Sequence, residues 1–153
     1  MTMSEMKISR PDPIPTVDGA FFWKAAAEGR FVAKKCGGCG SLWHPPRPIC
    51  PKCLGIVDEE QELCGRGTVV SWAMPIHPPA MGFSTPPIVV LIEIEEGLRF
   101  VSNVEGVAPQ DMRVGLPVTV TFAETDGKTL LTLSELYPTK EALDAISLQQ
   151  TLY

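Results

Sequence analysis

The sequence predicts a mainly β protein in three parts: a short N-terminal helix, a cysteine-rich metal-binding ribbon and a five-stranded barrel. Three observations carry this. Four of the 5 cysteines fall in two Cys-x2-Cys pairs, Cys36/Cys39 and Cys50/Cys53. Beyond Gly65 the texture turns to branched and aromatic runs separated by turn residues. Fifteen prolines and thirteen glycines argue for many short elements and against a helical bundle. With 44% hydrophobic and 20% charged residues a packed core is expected and wholesale disorder is not.

Residues 1–30 form the first part. Pro11, Pro13 and Pro15 forbid helix and favour an extended arm. Asp18 is placed to cap a helix running to about Glu28, with Gly29 as its stop. Phe21, Phe22, Ala25 and Ala26 give that helix one apolar stripe, which must dock on something because so short a helix is not stable alone.

Residues 31–63 hold the cysteines. Phe31–Lys35 reads as a strand into the first pair and Ser41–His44 as the return, after which Pro45, Pro46 and Pro48 break the ladder. Asp58–Glu62 reads as a solvated acidic edge. Two Cys-x2-Cys turns place four thiolates within reach of one ion, and Gly37 and Gly38 let the first turn close. Four sulfurs leave no open position, so the predicted metal, one zinc per chain, is structural. The turns also resemble those of rubredoxin, so a four-sulfur iron centre for electron transfer is a lesser alternative. His44 is expected to be a packing or surface residue, and Cys64 a small buried hydrophobe.

Residues 64–138 carry five strands: Thr68–Met74, Ile88–Ile94, Arg99–Val104, Val118–Phe122 and Thr129–Leu136. Glu95–Gly97 and Asp126-Gly127 mark hairpin turns. Closing five such strands into a barrel removes their edges, and the long Val104–Val118 connection fits the break between strands three and four of an OB-fold. Residues 139–153 are read as a helical tail, starting at Lys140 with Thr139 as cap.

The charge is uneven. Formal net charge is −5, yet between Lys24 and Cys53 six basic residues (Lys24, Arg30, Lys34, Lys35, Arg47, Lys52) face Glu28 alone. Such a patch suggests an anionic ligand, or merely offsets four thiolates. The barrel segment is acidic, with four basic against eight acidic residues, which disfavours a phosphate backbone; a nucleic-acid-binding module is therefore kept as the alternative function. No apolar run approaches the ~20 residues of a membrane span, and the first eight residues lack the apolar core of a secretory leader. A cytoplasmic protein with reduced thiols is expected.

No catalytic constellation is legible. His44 and His77 belong to no triad, Ser71 and Ser134 lie in strand patterns, Glu93 and Glu95 share a solvated strand face, and Gly65-Arg66-Gly67 reads as a strand entry. No residue is assigned a catalytic role. The uncharged Pro78–Pro87 loop, with Met81 and Phe83, is the candidate partner-binding surface.

The order Phe22-Trp23, Gly29-Arg30-Phe31, Cys-x2-Cys-Gly, Pro45-Pro46-Arg47, Cys-Pro-x-Cys, Gly65-Arg66-Gly67-Thr68-Val69, Pro86-Pro87-Ile88 and Val114-Gly115-Leu116-Pro117-Val118 resembles the zinc-ribbon/OB-fold family known as domain of unknown function 35. The resemblance covers roughly residues 18 to 138. It implies a rubredoxin-like zinc ribbon with Cys36, Cys39, Cys50 and Cys53 as ligands. It also implies a non-catalytic accessory subunit of a thiolase-like or aldolase-type acyl-CoA enzyme, with a hetero-oligomeric state and a contribution to a CoA or acyl-CoA path. Leu54 stands where many members of that family have glycine, with Gly55 one later.

Overall fold

Residues 10–16 have no regular structure, as the alternate prolines require. The structure, a computed structural model, describes residues 10–56, 58–125 and 128–135. The Asp126-Gly127 turn, Leu136 and the helical tail expected from Lys140 lie outside the described residues.

Helix α1 spans Ala20–Ala27. Asp18 does not cap it: Gly19 is the N-cap, and its N–H is taken by the Thr16 carbonyl and hydroxyl, both at 3.1 Å. The Thr16–Gly19 turn holds the N–H of the N-cap residue itself and sets how the chain enters the helix, while no side chain caps the first turn. The other end follows expectation. Gly29 is left-handed (φ 73°), and Gly29 and Arg30 N–H groups bond back to Ala26 and Ala25 carbonyls at 3.0 and 2.9 Å. Ala25 and Ala26 are buried, Phe22 packs on the main core, and Lys34 lies 4.3 Å over the Phe21 ring.

The ribbon sheet has three strands in the order β2-β1-β3: β1 (Val32–Cys36), β2 (Leu42–Trp43) and β3 (Asp58–Glu62). Strand β2 is shorter than the expected Ser41–His44, since Pro45 and Pro46 follow at once. Strand β3 was expected only as an acidic edge, and it pairs with β1 along its whole length, Val32↔Glu62 through Cys36↔Asp58. Acidic residues are poor strand formers, so tertiary pairing overrides propensity here. The register sets Lys34 opposite Glu60 and Lys35 opposite Glu59, and Arg30 reaches Glu28 at 2.7 Å and Glu60 at 4.0 Å. Three of the six basic residues, Arg30, Lys34 and Lys35, therefore have carboxylates beside them, which weakens the basic patch on this sheet.

Strands β4 (Arg66–Ala73), β5 (Ile88–Ile94), β6 (Arg99–Glu105), β7 (Pro117–Thr125) and β8 (Lys128–Glu135) close a barrel in the order β4-β5-β6-β8-β7. All pairs are antiparallel except β6 with β8. Alternate side chains of β5, Ile88, Val90, Ile92 and Ile94, point into the core. The connection from β6 to β7 contributes buried Met112 and Leu116, and its backbone continues the ladder beside a bulge in β4, through Gly115 N–H to Val69 (2.7 Å) and Val69 N–H to Leu116 (3.0 Å). Gly67 is required where β4 crosses β5: a Cβ there would stand 2.5 Å from the Glu93 carbonyl oxygen.

Helix, ribbon and barrel meet on Phe100. His44 stacks on it with centroids 3.9 Å apart, Phe31 packs at 4.7 Å and Phe22 at 6.5 Å. His44 is thus a packing residue, and burial lowers its pKa from the ordinary 6.5 to about 4. A histidine held neutral stabilises the fold fully above about pH 6.5, and that contribution is lost as pH falls toward about 4. Denaturation midpoints measured across this window, with zinc content followed in parallel, are expected to fall for the natural chain. They should fall less steeply for His44→Phe.

Candidate functional site

The two cysteine turns are built alike. In Cys36–Gly40 the Gly40 N–H bonds the Cys36 carbonyl at 2.8 Å, and the Cys36 N–H bonds Ser41 at 2.9 Å. In Cys50–Leu54 the Leu54 N–H bonds Cys50 at 3.0 Å, and the Cys50 N–H bonds Gly55 at 2.9 Å. Each turn ends on a left-handed residue: Gly40 with φ 71°, Leu54 with φ 60°. Left-handed backbone costs a side-chain-bearing residue roughly 1–2 kcal/mol more than glycine.

These turns bring the sulfurs of Cys36, Cys39, Cys50 and Cys53 within 4.8 Å of one another. Cys36–Cys53 and Cys39–Cys50 are 3.5 and 3.7 Å apart, far beyond a disulfide bond, and all four thiols are free. Ligands at about 2.3 Å in a tetrahedron lie about 3.8 Å from one another, so the four atoms fit one metal ion. Cys36 and Cys50 are buried with Trp43, whose indole N–H donates to the Arg47 carbonyl at 3.3 Å and pins the proline loop; Cys39 and Cys53 face outward.

The electrostatics favour a cation among the four sulfurs. The Ser41 hydroxyl and backbone N–H favour the Cys39 thiolate and bring it down to about 6. At Cys53 the Gly55 N–H also favours the thiolate, but the neighbouring sulfurs outweigh it and push the thiol up to about 12. Four sulfurs so placed do not all ionise unless positive charge sits among them.

Cys64 departs from expectation. It is exposed, because Gly65 turns the chain there, and its sulfur lies 3.3 Å from Glu96. Partial desolvation and that carboxylate raise its pKa, which makes it a poor nucleophile. Glu95 is spent on a two-point contact with Arg66 at 2.8 Å, and Glu93 on Arg99 at 2.8 Å.

The Pro78–Pro87 loop joins β4 to β5, and it separates its two candidates. Met81 points to solvent, 63% exposed. Phe83 turns inward under the guanidinium of Arg10, 4.0 Å from the ring centroid, and Arg10 in turn approaches Glu105 at 3.7 Å. Phe83 and Arg10 line a cleft of about 690 Å³ with Met74, Pro86, Pro87 and Ile88. Arg10 was not singled out in the sequence, since nothing local marks an arm residue that packs on a loop seventy positions away. A second cleft, about 310 Å³, lies among Phe22, Trp23, His44 and Phe100 where the three parts meet. No helix among the described residues is long and apolar enough to cross a membrane.

A four-sulfur ribbon followed by a closed five-stranded barrel defines the class: a zinc-ribbon/OB-fold protein. Residues 23–56 match the family model for the ChsH2 rubredoxin-like zinc ribbon domain, and residues 60–123 that for the ChsH2 C-terminal OB-fold domain. The chain is 32% identical over 95 residues to a DUF35 domain-containing scaffold protein of Methanocaldococcus jannaschii, covering 60% of this chain and 67% of the relative. The solved Ltp2-ChsH2(DUF35) aldolase contains a chain matched at 36% identity and TM-score 0.79, over 82% of this chain and 100% of that one. The chain belongs to the DUF35 family. It is also 38% identical over 130 residues to a probable enoyl-CoA hydratase alpha subunit of Thermomonospora curvata, which covers 85% of this chain. It is 30% identical over 112 residues to the 3-oxo-4,17-pregnadiene-20-carboxyl-CoA hydratase alpha subunit of Mycobacterium tuberculosis, covering 73% of this chain. The chain spans only 41% and 36% of the lengths of those two subunits.

Elemental analysis of freshly purified protein is expected to give about one zinc per chain. Cys50→Ser should lose the metal and, by circular dichroism, the ribbon fold, since metal binding is folding energy in such a ribbon. Metal-free or red, iron-loaded protein overturns the zinc assignment.

Proposed function

We propose that this chain is a non-catalytic accessory subunit that binds and stabilises an acyl-CoA enzyme of thiolase or aldolase type. In this reading Cys36, Cys39, Cys50 and Cys53 hold one structural zinc, the complex is hetero-oligomeric, and its home is the reducing cytoplasm. The observation that carries the reading is the aldolase structure, whose DUF35 chain is matched over its full length at 36% identity. The scaffold and hydratase-subunit names of the relatives support it.

The geometry agrees. Four cysteine sulfurs would fill the coordination of one tetrahedral ion, His44 is committed to packing on Phe100, and Glu95 and Glu93 are committed to Arg66 and Arg99. Met81 on the outside of the β4–β5 loop and Phe83 in the cleft behind it form the partner-facing surface, and the cleft gives a CoA or acyl chain a wall to follow. The alternative, a nucleic-acid module, is disfavoured by the pairing of β1 lysines with β3 glutamates, which leaves no continuous basic track on the ribbon sheet.

Copurification of the native complex is expected to bring a thiolase-fold subunit with the chain. Phe83→Ala should weaken that association about thirtyfold, ~2 kcal/mol, with zinc content unchanged. The purified chain alone should show no hydrolysis, thiolysis or aldol cleavage of acyl-CoA. Turnover that a single substitution in the chain abolishes overturns the non-catalytic reading.

A further inference from the structure

The two cysteine turns share one hydrogen-bond scheme and one left-handed terminal position, and they fill it differently. Gly40 occupies it in the first turn, where an added Cβ would meet nothing within 4 Å. Leu54 occupies it in the second, at a conformational cost glycine does not carry, and its side chain is 74% exposed. The strain therefore brings no burial in return within the chain. Leu54 is not alone: Ile49 and Ile56, just outside the same turn, are 45% and 75% exposed. These three branched side chains sit at the ribbon's outer end. The ribbon's other end, at Phe31 and Leu63, is anchored in the barrel core, while Cys36, Trp43 and Cys50 form a separate small cluster. Between Gly37 and Val57 there is no acidic residue; Arg47 precedes Ile49, Lys52 lies between Ile49 and Leu54, and the acidic run begins only at Asp58.

We propose that Ile49, Leu54 and Ile56 form a second docking surface, on the zinc turn, for the enzyme subunit of the complex. That subunit would present an apolar depression bordered by carboxylates. The inference rests on the accessory-subunit reading. Apolar side chains standing in water on a turn that positions them at a cost are explained by burial against a partner, and the two cations fix the sign of that partner's rim. The surface lies on a different element from the β4–β5 loop, so each can be tested without the other.

Leu54→Gly is the discriminating variant, because it removes the side chain and the strain together. Titrated against the separately purified enzyme subunit that copurifies with the natural chain, it is expected to bind at least tenfold more weakly. Its zinc content should be kept and its thermal midpoint should be equal or higher. Arg47→Glu with Lys52→Glu should slow association and flatten its salt dependence. Unchanged affinity of Leu54→Gly in an intact complex overturns the inference and leaves the accessory-subunit reading standing. So does sedimentation showing that the natural chain alone forms a dimer which Leu54→Gly dissolves, since the occupant is then a second copy. Failure of any enzyme subunit to copurify overturns the accessory-subunit reading and the inference with it.

Discussion

Four cysteine sulfurs held within 4.8 Å are the constraint on which the ribbon depends. Among the described residues the cysteine turns bury Cys36, Trp43 and Cys50 as a cluster of their own, too little apolar surface to hold two loops and a two-residue strand. Mutual repulsion among the thiolates would open it, and a cation among them closes it. Both turns, the Trp43–Arg47 contact and the register of β1 against β3 are arranged around that requirement. Zinc in this setting is a folding element, which is why a site saturated with sulfur carries no chemistry of its own.

The ribbon is joined to the barrel by stacking. Phe100, on the third barrel strand, receives His44 from the ribbon's proline loop, Phe31 from the start of β1 and Phe22 from the helix. Three segments that could each move separately are thereby fixed on one ring, and the helix, too short to persist alone, gains the surface it needs. A neutral histidine in this position adds area without a charge to solvate. The barrel closes through its own strands, with Gly67 permitting β4 to lie against β5 and the β6–β7 connection filling one end with Met112 and Leu116.

Much of this was legible in the chain. Cys-x2-Cys spacing brings two sulfurs onto one turn, so the four cysteines that cluster could be named from sequence. The period-two alternation of Ile88–Ile94 and the turn residues around it marked the barrel strands to within a few positions, and Gly29 marked the helix end. What was not legible depended on long-range pairing. The acidic Asp58–Glu62 segment has no strand propensity and becomes one because β1 offers it lysines and open hydrogen bonds. For the same reason the basic run looked like a patch until the sheet set glutamates beside it. Cys64 looked like core by residue type and is exposed because a left-handed Gly65 turns it outward.

The sequence by itself determined the composition of each part: a pair of cysteine turns able to hold a metal and a set of strands fit to close. These follow from local spacing and periodicity, which the chain carries wherever it goes. Only the tertiary structure decided which charges face one another, that Arg10 covers Phe83, that Phe100 is the ring His44 stacks on, and that Leu54 takes a left-handed backbone angle. Each of these depends on contacts between segments far apart in the chain or on the backbone angle a closed turn imposes. Neither is written in the identity of the neighbouring residues.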